Sequence, residues 1–125
     1  MTKPRITDNP IDYELPFSDW LRKNPKLSSC KGFITTNVDY IWKNYKTGDF
    51  ILLEIKTFMA ELKFPQTKML YDLDDMLKPN KKYKGFYLIQ FDKTNPEDSR
   101  HIKINNKFVT KEKLEYLLEN FKERL

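Results

Sequence analysis

Three residues of this chain have the types and spacing to do chemistry: Asp39 and, after an interval of fourteen residues, Glu54 and Lys56 within the run Phe50–Thr57, FILLEIKT. A strand has period two, so Leu52, Glu54 and Lys56 share one face while Ile51, Leu53 and Ile55 share the other. Turn signals bound the run, Thr47-Gly48-Asp49 before it and Glu61 to Pro65 beyond, the pattern of an interior strand flanked on both sides. Withdrawing a carboxylate and an ammonium from water is costly unless each is paired or coordinates a metal. Their place near the end of such a strand therefore points to a site.

The neighbouring elements decide whether Asp39 can join it. Val38 to Tyr45 reads as a strand, preceded by a shorter one over Gly32–Thr36, and Lys46–Asp49 reads as a hairpin connection. If the turn centres near residue 47, position 39 lies opposite roughly position 55, which sets Asp39 beside Glu54 with one frame step of slack. Upstream, residues 1–9 form a loose arm. A helix is predicted over Pro10–Asn24, interrupted at Pro16, with Ser18 or Asp19 near the cap and Trp20 and Leu21 facing inward; Pro25 stops it. Downstream, Met69, Leu70, Leu73, Met76 and Leu77 predict a helix from Pro65 through Lys78, followed by a basic loop over Lys81–Gly85 and an apolar strand over Phe86–Phe91. His101–Ile104 is a short strand, Asn105-Asn106 a turn, and Thr110–Phe121 an amphipathic helix with Leu114, Leu117, Leu118 and Phe121 inward. A strand, helix and strand in that order imply a crossover connection. The fold class is α/β, with a mixed central sheet of about five strands flanked by helices in the order αβββαββα.

Composition sets the frame. At 125 residues the chain is expected to form one domain with a single core. Nine Phe, seven Tyr and two Trp carry much of the apolar payload, against a single alanine, Ala60, so the chain is one that folds. A net charge of +5 and a pI near 9.2 favour polyanionic partners. Cys30 and His101 stand alone in their types, which excludes a disulfide scaffold or a Cys/His zinc site within one chain and suits a reducing, cytoplasmic setting. No stretch approaches the ~18 apolar residues of a membrane span, and the N-terminus has no signal-peptide core.

Asp39, its interval, and Glu54-Ile55-Lys56, on a hairpin after a first helix and before a crossover helix, resemble the PD-(D/E)XK nuclease superfamily, whose fold is that of the restriction endonucleases. The small members, Holliday-junction resolvases and compact virus-type nuclease modules, are similar in their short hairpin and sparse decoration. Val38 stands where the family name has proline. Only the first of two acid-x-Lys triplets fits, since Glu61-Leu62-Lys63 lies off any buried strand. The resemblance implies hydrolysis of phosphodiester bonds, with DNA favoured over RNA and branched DNA as one substrate, by a homodimer in the cytoplasm, nucleoid or host-cell interior. It implies Mg²⁺, for which Mn²⁺ can substitute, held by the hard oxygens of Asp39, Glu54 and the Ile55 carbonyl. Lys56 would position the attacking water or offset charge in the transition state.

Several members add an acid from the first helix. Glu14 is the choice here, ahead of Asp19 and Asp12. Gln66 either faces the site, as a glutamine does in related nucleases, or caps the turn after Pro65. Lys31, Lys68, Lys81, Lys82 and Lys84, with Lys23 and Lys26, are candidate phosphate contacts or simply solvated surface. Asp72, Asp74 and Asp75 read as a solvated stripe on a helix, His101 as an exposed or hydrogen-bonded side chain and Cys30 as inert. The alternative function is a binding domain for nucleic acid or protein that keeps the fold, with Glu54 and Lys56 as a structural pair.

Overall fold

The computed structural model describes residues 16–121. The chain divides into two units, one ending at Asn37 and one starting at Val38. In the first, helix α1 (Pro16–Lys23) opens on proline, whose fixed φ and missing N–H suit a first helical turn. It gives way to a 3-10 turn over Pro25–Leu27, where the Asn24 side chain accepts from the Lys26 N–H at 3.0 Å. A second 3-10 turn, Ser29–Lys31, ends on Gly32 at a φ of 98°. The inward face expected of α1 is not formed. None of its residues is buried, and Trp20 stacks on Phe17 with ring centroids 5.8 Å apart, because the described part of this unit holds only short turns for it to pack on. The expected arm over residues 1–9 and the first part of the predicted helix, residues 10–15, lie outside the described residues.

The second unit is a five-stranded mixed sheet. Strands β1 (Tyr40–Lys43) and β2 (Phe50–Lys56) form an antiparallel hairpin, and β2 runs parallel to β3 (Tyr83–Phe91) through the crossover helix α2 (Gln66–Leu77). Antiparallel β4 (Ile102–Ile104) and β5 (Lys107–Val109) complete the order β1-β2-β3-β4-β5, and helix α3 (Lys111–Glu119) follows. The α/β class and the five strands agree with the sequence, but the order is αββαβββα. Gly32–Thr36 forms no strand: Phe33 and Ile34 are more than half exposed and no sheet edge pairs with them. β5 has no counterpart among the strands expected from the sequence. Asn105 and Asn106 both take left-handed φ, 50° and 70°, in the two-residue turn that returns a chain directly into antiparallel register, so Ile104 pairs with Lys107. β3 also starts early, and Tyr83 is buried within what read as a basic loop, its hydroxyl donating to Asp74.

The two faces of the sheet bury different clusters. On one, Ile51, Leu53, Ile89, Phe91, Ile102 and Ile104 meet Leu114, Leu117 and Phe121 from α3 and beyond it. Thr110 caps that helix by accepting from the Lys113 N–H at 3.0 Å, and the indole of Trp42 on β1 donates to the Leu118 carbonyl at 2.8 Å. On the other, Leu52, Tyr83 and Phe86 meet Leu70, the one buried residue of α2, with Leu73 and Leu77 packed beside it. Among the described residues no helix is long and apolar enough to cross a membrane.

Leu70 is fully buried and anchors α2 to the sheet, so Leu70→Ala is expected to cost about 2–5 kcal/mol, measured as a lower midpoint in urea unfolding at unchanged slope.

Candidate functional site

Crossover connections place loops at the carboxyl ends of parallel strands, where α/β sheets commonly hold their ligands. Here that end of β2 carries Glu54 and Lys56. Asp39 sits one residue before β1, and the ladder in which Tyr40 faces Leu53 sets it opposite Glu54 one step on. Its carboxylate Oδ2 accepts the Ile55 backbone N–H at 2.8 Å. Asp39 thus fastens the end of β2 while standing exposed at its edge.

Glu54 is the centre of the arrangement. It is 2% exposed, and its Oε2 accepts from the Gln66 Nε2 at 3.1 Å and lies 3.6 Å from the Lys56 Nζ. Its Oε1 is buried and makes no hydrogen bond. Burial, reinforced by the charge of Asp39 and only partly offset by Lys56, pushes its carboxyl up to about 7 from an ordinary 4.5. Lys56 lies on the same face, its Nζ 3.5 Å from the Gln66 Oε1. Gln66, the first residue of α2, therefore uses both ends of its carboxamide between the acid and the ammonium. It does not cap: α2 begins without a side-chain cap. The Ile55 side chain packs on the opposite face.

Among the described residues, no three acidic, histidine or cysteine side chains gather. A cation here would rest on Asp39 and Glu54, with backbone oxygen and water completing its shell. A hard divalent ion suits such a donor set, and the unpartnered buried Oε1 of Glu54 is the group that gains most from one.

The other expected residues of the second unit have partners or places of their own, and those before Val38 belong to the first unit or lie outside the described residues. Glu14 and Asp12 lie outside the described residues, and Asp19 pairs with Lys23 at 3.0 Å in the first unit, which also holds Lys26 and Lys31. Lys68 is paired with Asp72 at 2.6 Å on α2. Lys81, Lys82 and Lys84 enter or precede β3 beside Phe50, whereas Lys56 pairs with Gln90. A parallel crossover returns the chain to the starting end of the sheet, so these lysines lie about 20 Å from Lys56 at 3.3 Å per residue. Lys82 is occupied there, its Nζ donating to the Thr47 carbonyl at 2.9 Å. Asp75 pairs with Lys78, and Asp74 accepts the Tyr83 hydroxyl. His101 is exposed, and its backbone N–H donates to the Asp92 carboxylate.

One residue of this face went unnoticed in the sequence. Gln90 is 3% exposed on β3 in register with Lys56. Its signal was the same as that of Glu54, a polar group inside the apolar run Tyr87-Leu-Ile-Gln-Phe91. Comparison of the chain with models of protein families, with curated proteins and with solved structures finds no match.

A carboxyl raised in the folded state binds its proton more tightly there than in the unfolded chain, so its ionisation opposes folding. The penalty is absent below about pH 4.5, grows as pH rises, and is complete above about 7. At about 1.4 kcal/mol per pH unit it reaches about 3 kcal/mol. In chelator, Glu54→Gln is therefore expected to melt above the wild type at pH 8 and level with it near pH 4; a constant difference across that range would contradict the assignment.

Proposed function

We propose that this protein is a metal-dependent nuclease of the PD-(D/E)XK kind, with a restriction-endonuclease-like fold, acting on DNA in preference to RNA. The observation that carries the reading is the single face on which Asp39, Glu54, Lys56 and Gln66 converge, with a buried carboxylate oxygen left unpartnered. Asp39 and Glu54 would hold Mg²⁺, with the Ile55 carbonyl as a further ligand. The ion would supply positive charge to the phosphoryl oxygens and make a bound water more acidic.

The chain's own residues do the rest. Lys56 offers an ammonium where negative charge grows on the phosphoryl group as water attacks phosphorus and the alcohol leaves. Gln66 keeps Lys56 and Glu54 at fixed separation, so that neither has to reorganise during the reaction. Asp39, tied to the Ile55 N–H, keeps its carboxylate at the strand end. Action as a homodimer belongs to this reading, since so small a sheet covers little of a duplex. The 3.6 Å approach of Lys56 to Glu54 also suits a second reading, a non-catalytic binding domain in which the two form a structural pair.

The test incubates the protein with plasmid, four-way junction, single-stranded DNA and RNA in Mg²⁺ and in chelator. Cleavage is expected in Mg²⁺ alone. Glu54→Gln should lower turnover on the order of 10³-fold, and Lys56→Ala should lower kcat with KM little changed. A wild type that cuts nothing, or variants that cut as well as it does, would leave the binding-domain reading.

Mg²⁺ should also raise the melting temperature of the wild type at pH 8, where Glu54 is ionised, and not that of Glu54→Gln. Equal shifts for both would place the ion elsewhere.

A further inference from the structure

The face that carries Glu54 does not stop at β2. Lys56 pairs with Gln90 of β3, Gln90 with Lys103 of β4, and Lys103 with Phe108 of β5. Residues paired across a sheet point to the same side, so these four make one row. Three strand spacings of about 4.8 Å put Phe108 about 14 Å from Lys56. α2 covers only the near end of this face, its buried contacts being with Leu52, Tyr83 and Phe86. At the far end Phe108 is 68% exposed. The reverse side of β4 and β5 is the apolar one, where Ile102, Ile104 and Val109 join the cluster under α3. Phe108 thus adds nothing to that core, and its ring stands on the open side.

The chemistry along the row is ordered. Gln90 donates its Nε2 to the Ala60 carbonyl at 2.9 Å, which fixes the carboxamide and leaves its buried Oε1 without a hydrogen bond. The Lys103 Nζ lies 4.9 Å from the centroid of the Phe108 ring, and the His101 ring stands 5.8 Å from it at 69°. Gln90 is covered, so what the row offers a ligand is the Lys56 ammonium at one end and, past that closed stretch, the Lys103 ammonium and the Phe108 ring. A nucleic-acid strand presents the complements of the open positions: phosphates to the ammoniums and a base face to the ring.

We infer that Phe108, flanked by His101 and Lys103, is a stacking platform for an unpaired base of the strand whose phosphate lies at Lys56. The Lys56 end of this track rests on the nuclease reading; the Phe108 end does not. Inside a duplex both faces of a base are taken by its neighbours, so the ring can engage only a single strand or a flap. The substrate class is therefore nucleic acid with an unpaired stretch beside the bond to be cut. Lys103 rests on the ring in the free protein and has the flexible stem to turn to a phosphate when a base takes its place.

The experiment measures binding of short labelled oligothymidylate, oligouridylate and a duplex of the same length by fluorescence anisotropy in chelator, for wild type, Phe108→Ala and Phe108→Trp. Phe108→Ala is expected to weaken whichever single strand the wild type holds by about tenfold and to leave the duplex unchanged. Phe108→Trp should keep the affinity, and its added indole fluorescence should be quenched by the single strand. Because Phe108 is exposed, all three proteins should fold alike, which circular dichroism checks. Undiminished binding by Phe108→Ala, an equal loss on duplex, or an unquenched indole would overturn the platform. So would a wild type that sediments as a dimer while Phe108→Ala is monomeric with unchanged affinity, since the ring would then cover a second copy of the chain. Cleavage in Mg²⁺ is read separately. Tenfold weaker binding with no cutting by the wild type keeps the platform and removes the nuclease, whereas cutting with undiminished Phe108→Ala binding does the reverse.

Discussion

Withdrawal of the Glu54 carboxylate from water is the constraint around which the second unit is organised. An ionised group so deeply buried needs hydrogen bonds and opposite charge, and the fold supplies both within a few residues of chain. Lys56 comes from the same strand two positions on, and Gln66 from the first turn of the crossover helix. Each requirement fixes an element. The ammonium must share the face of Glu54, which demands a regular strand, and Gln66 must arrive at the strand's end, which sets where α2 begins. Even so, one oxygen is left without a partner, and the carboxyl holds its proton to about pH 7. The groups around Glu54 thus stabilise its ionised form only in part.

The sheet divides its labour between faces. Beneath α3 the residues of β2, β3 and β4 are almost all aliphatic or aromatic, and that side supplies most of the buried apolar surface. The face toward α2 has its apolar cluster where the helix covers it, around Leu52, Leu70 and Phe86. Beyond the helix it turns polar at Glu54, Lys56 and Gln90. Because burial on one face secures the strands, the other can hold groups that weaken the fold locally without losing the register that aligns them.

Much of this was legible in the chain because period-two and period-3.6 patterns act locally. FILLEIKT announces β2 and sets Glu54 and Lys56 on one side, and the Leu and Met spacing announces α2. The position of Asp39 followed from hairpin arithmetic alone. What the sequence concealed depends on contacts between distant segments. Gly32–Thr36 has the β-branched look of a strand yet finds no edge to pair with, while Lys107–Val109 looks unremarkable and becomes one because two asparagines accept left-handed φ. The lysines of residues 81–84 seemed available to the site until the crossover set them at the far end of the sheet. Whether Gln66 caps its helix or faces Glu54 was equally undecidable, since both use the same residue at the same place. Gln90 carried a readable signal, a lone amide in an apolar run, but its significance required the parallel register with Lys56.

The turn between β1 and β2 is held by its own hydrogen bonds. Asn44 accepts from the Lys46 N–H through its side chain, its N–H meets the Asp49 carbonyl at 2.9 Å, and Gly48 adopts a φ of 86°. Such connections are ordinarily the most permissive parts of a protein to insertion and deletion. Here the turn sets the parity of β1 relative to β2. A slip of β1 by one residue against β2 would carry Asp39 to the opposite side of the sheet, so a change in the turn's length keeps the bond from the Ile55 N–H to Asp39 only where the turn itself absorbs it. The length of this surface turn therefore bears on where Asp39 stands, whereas its composition matters mainly at Asn44 and Gly48, which hold its shape.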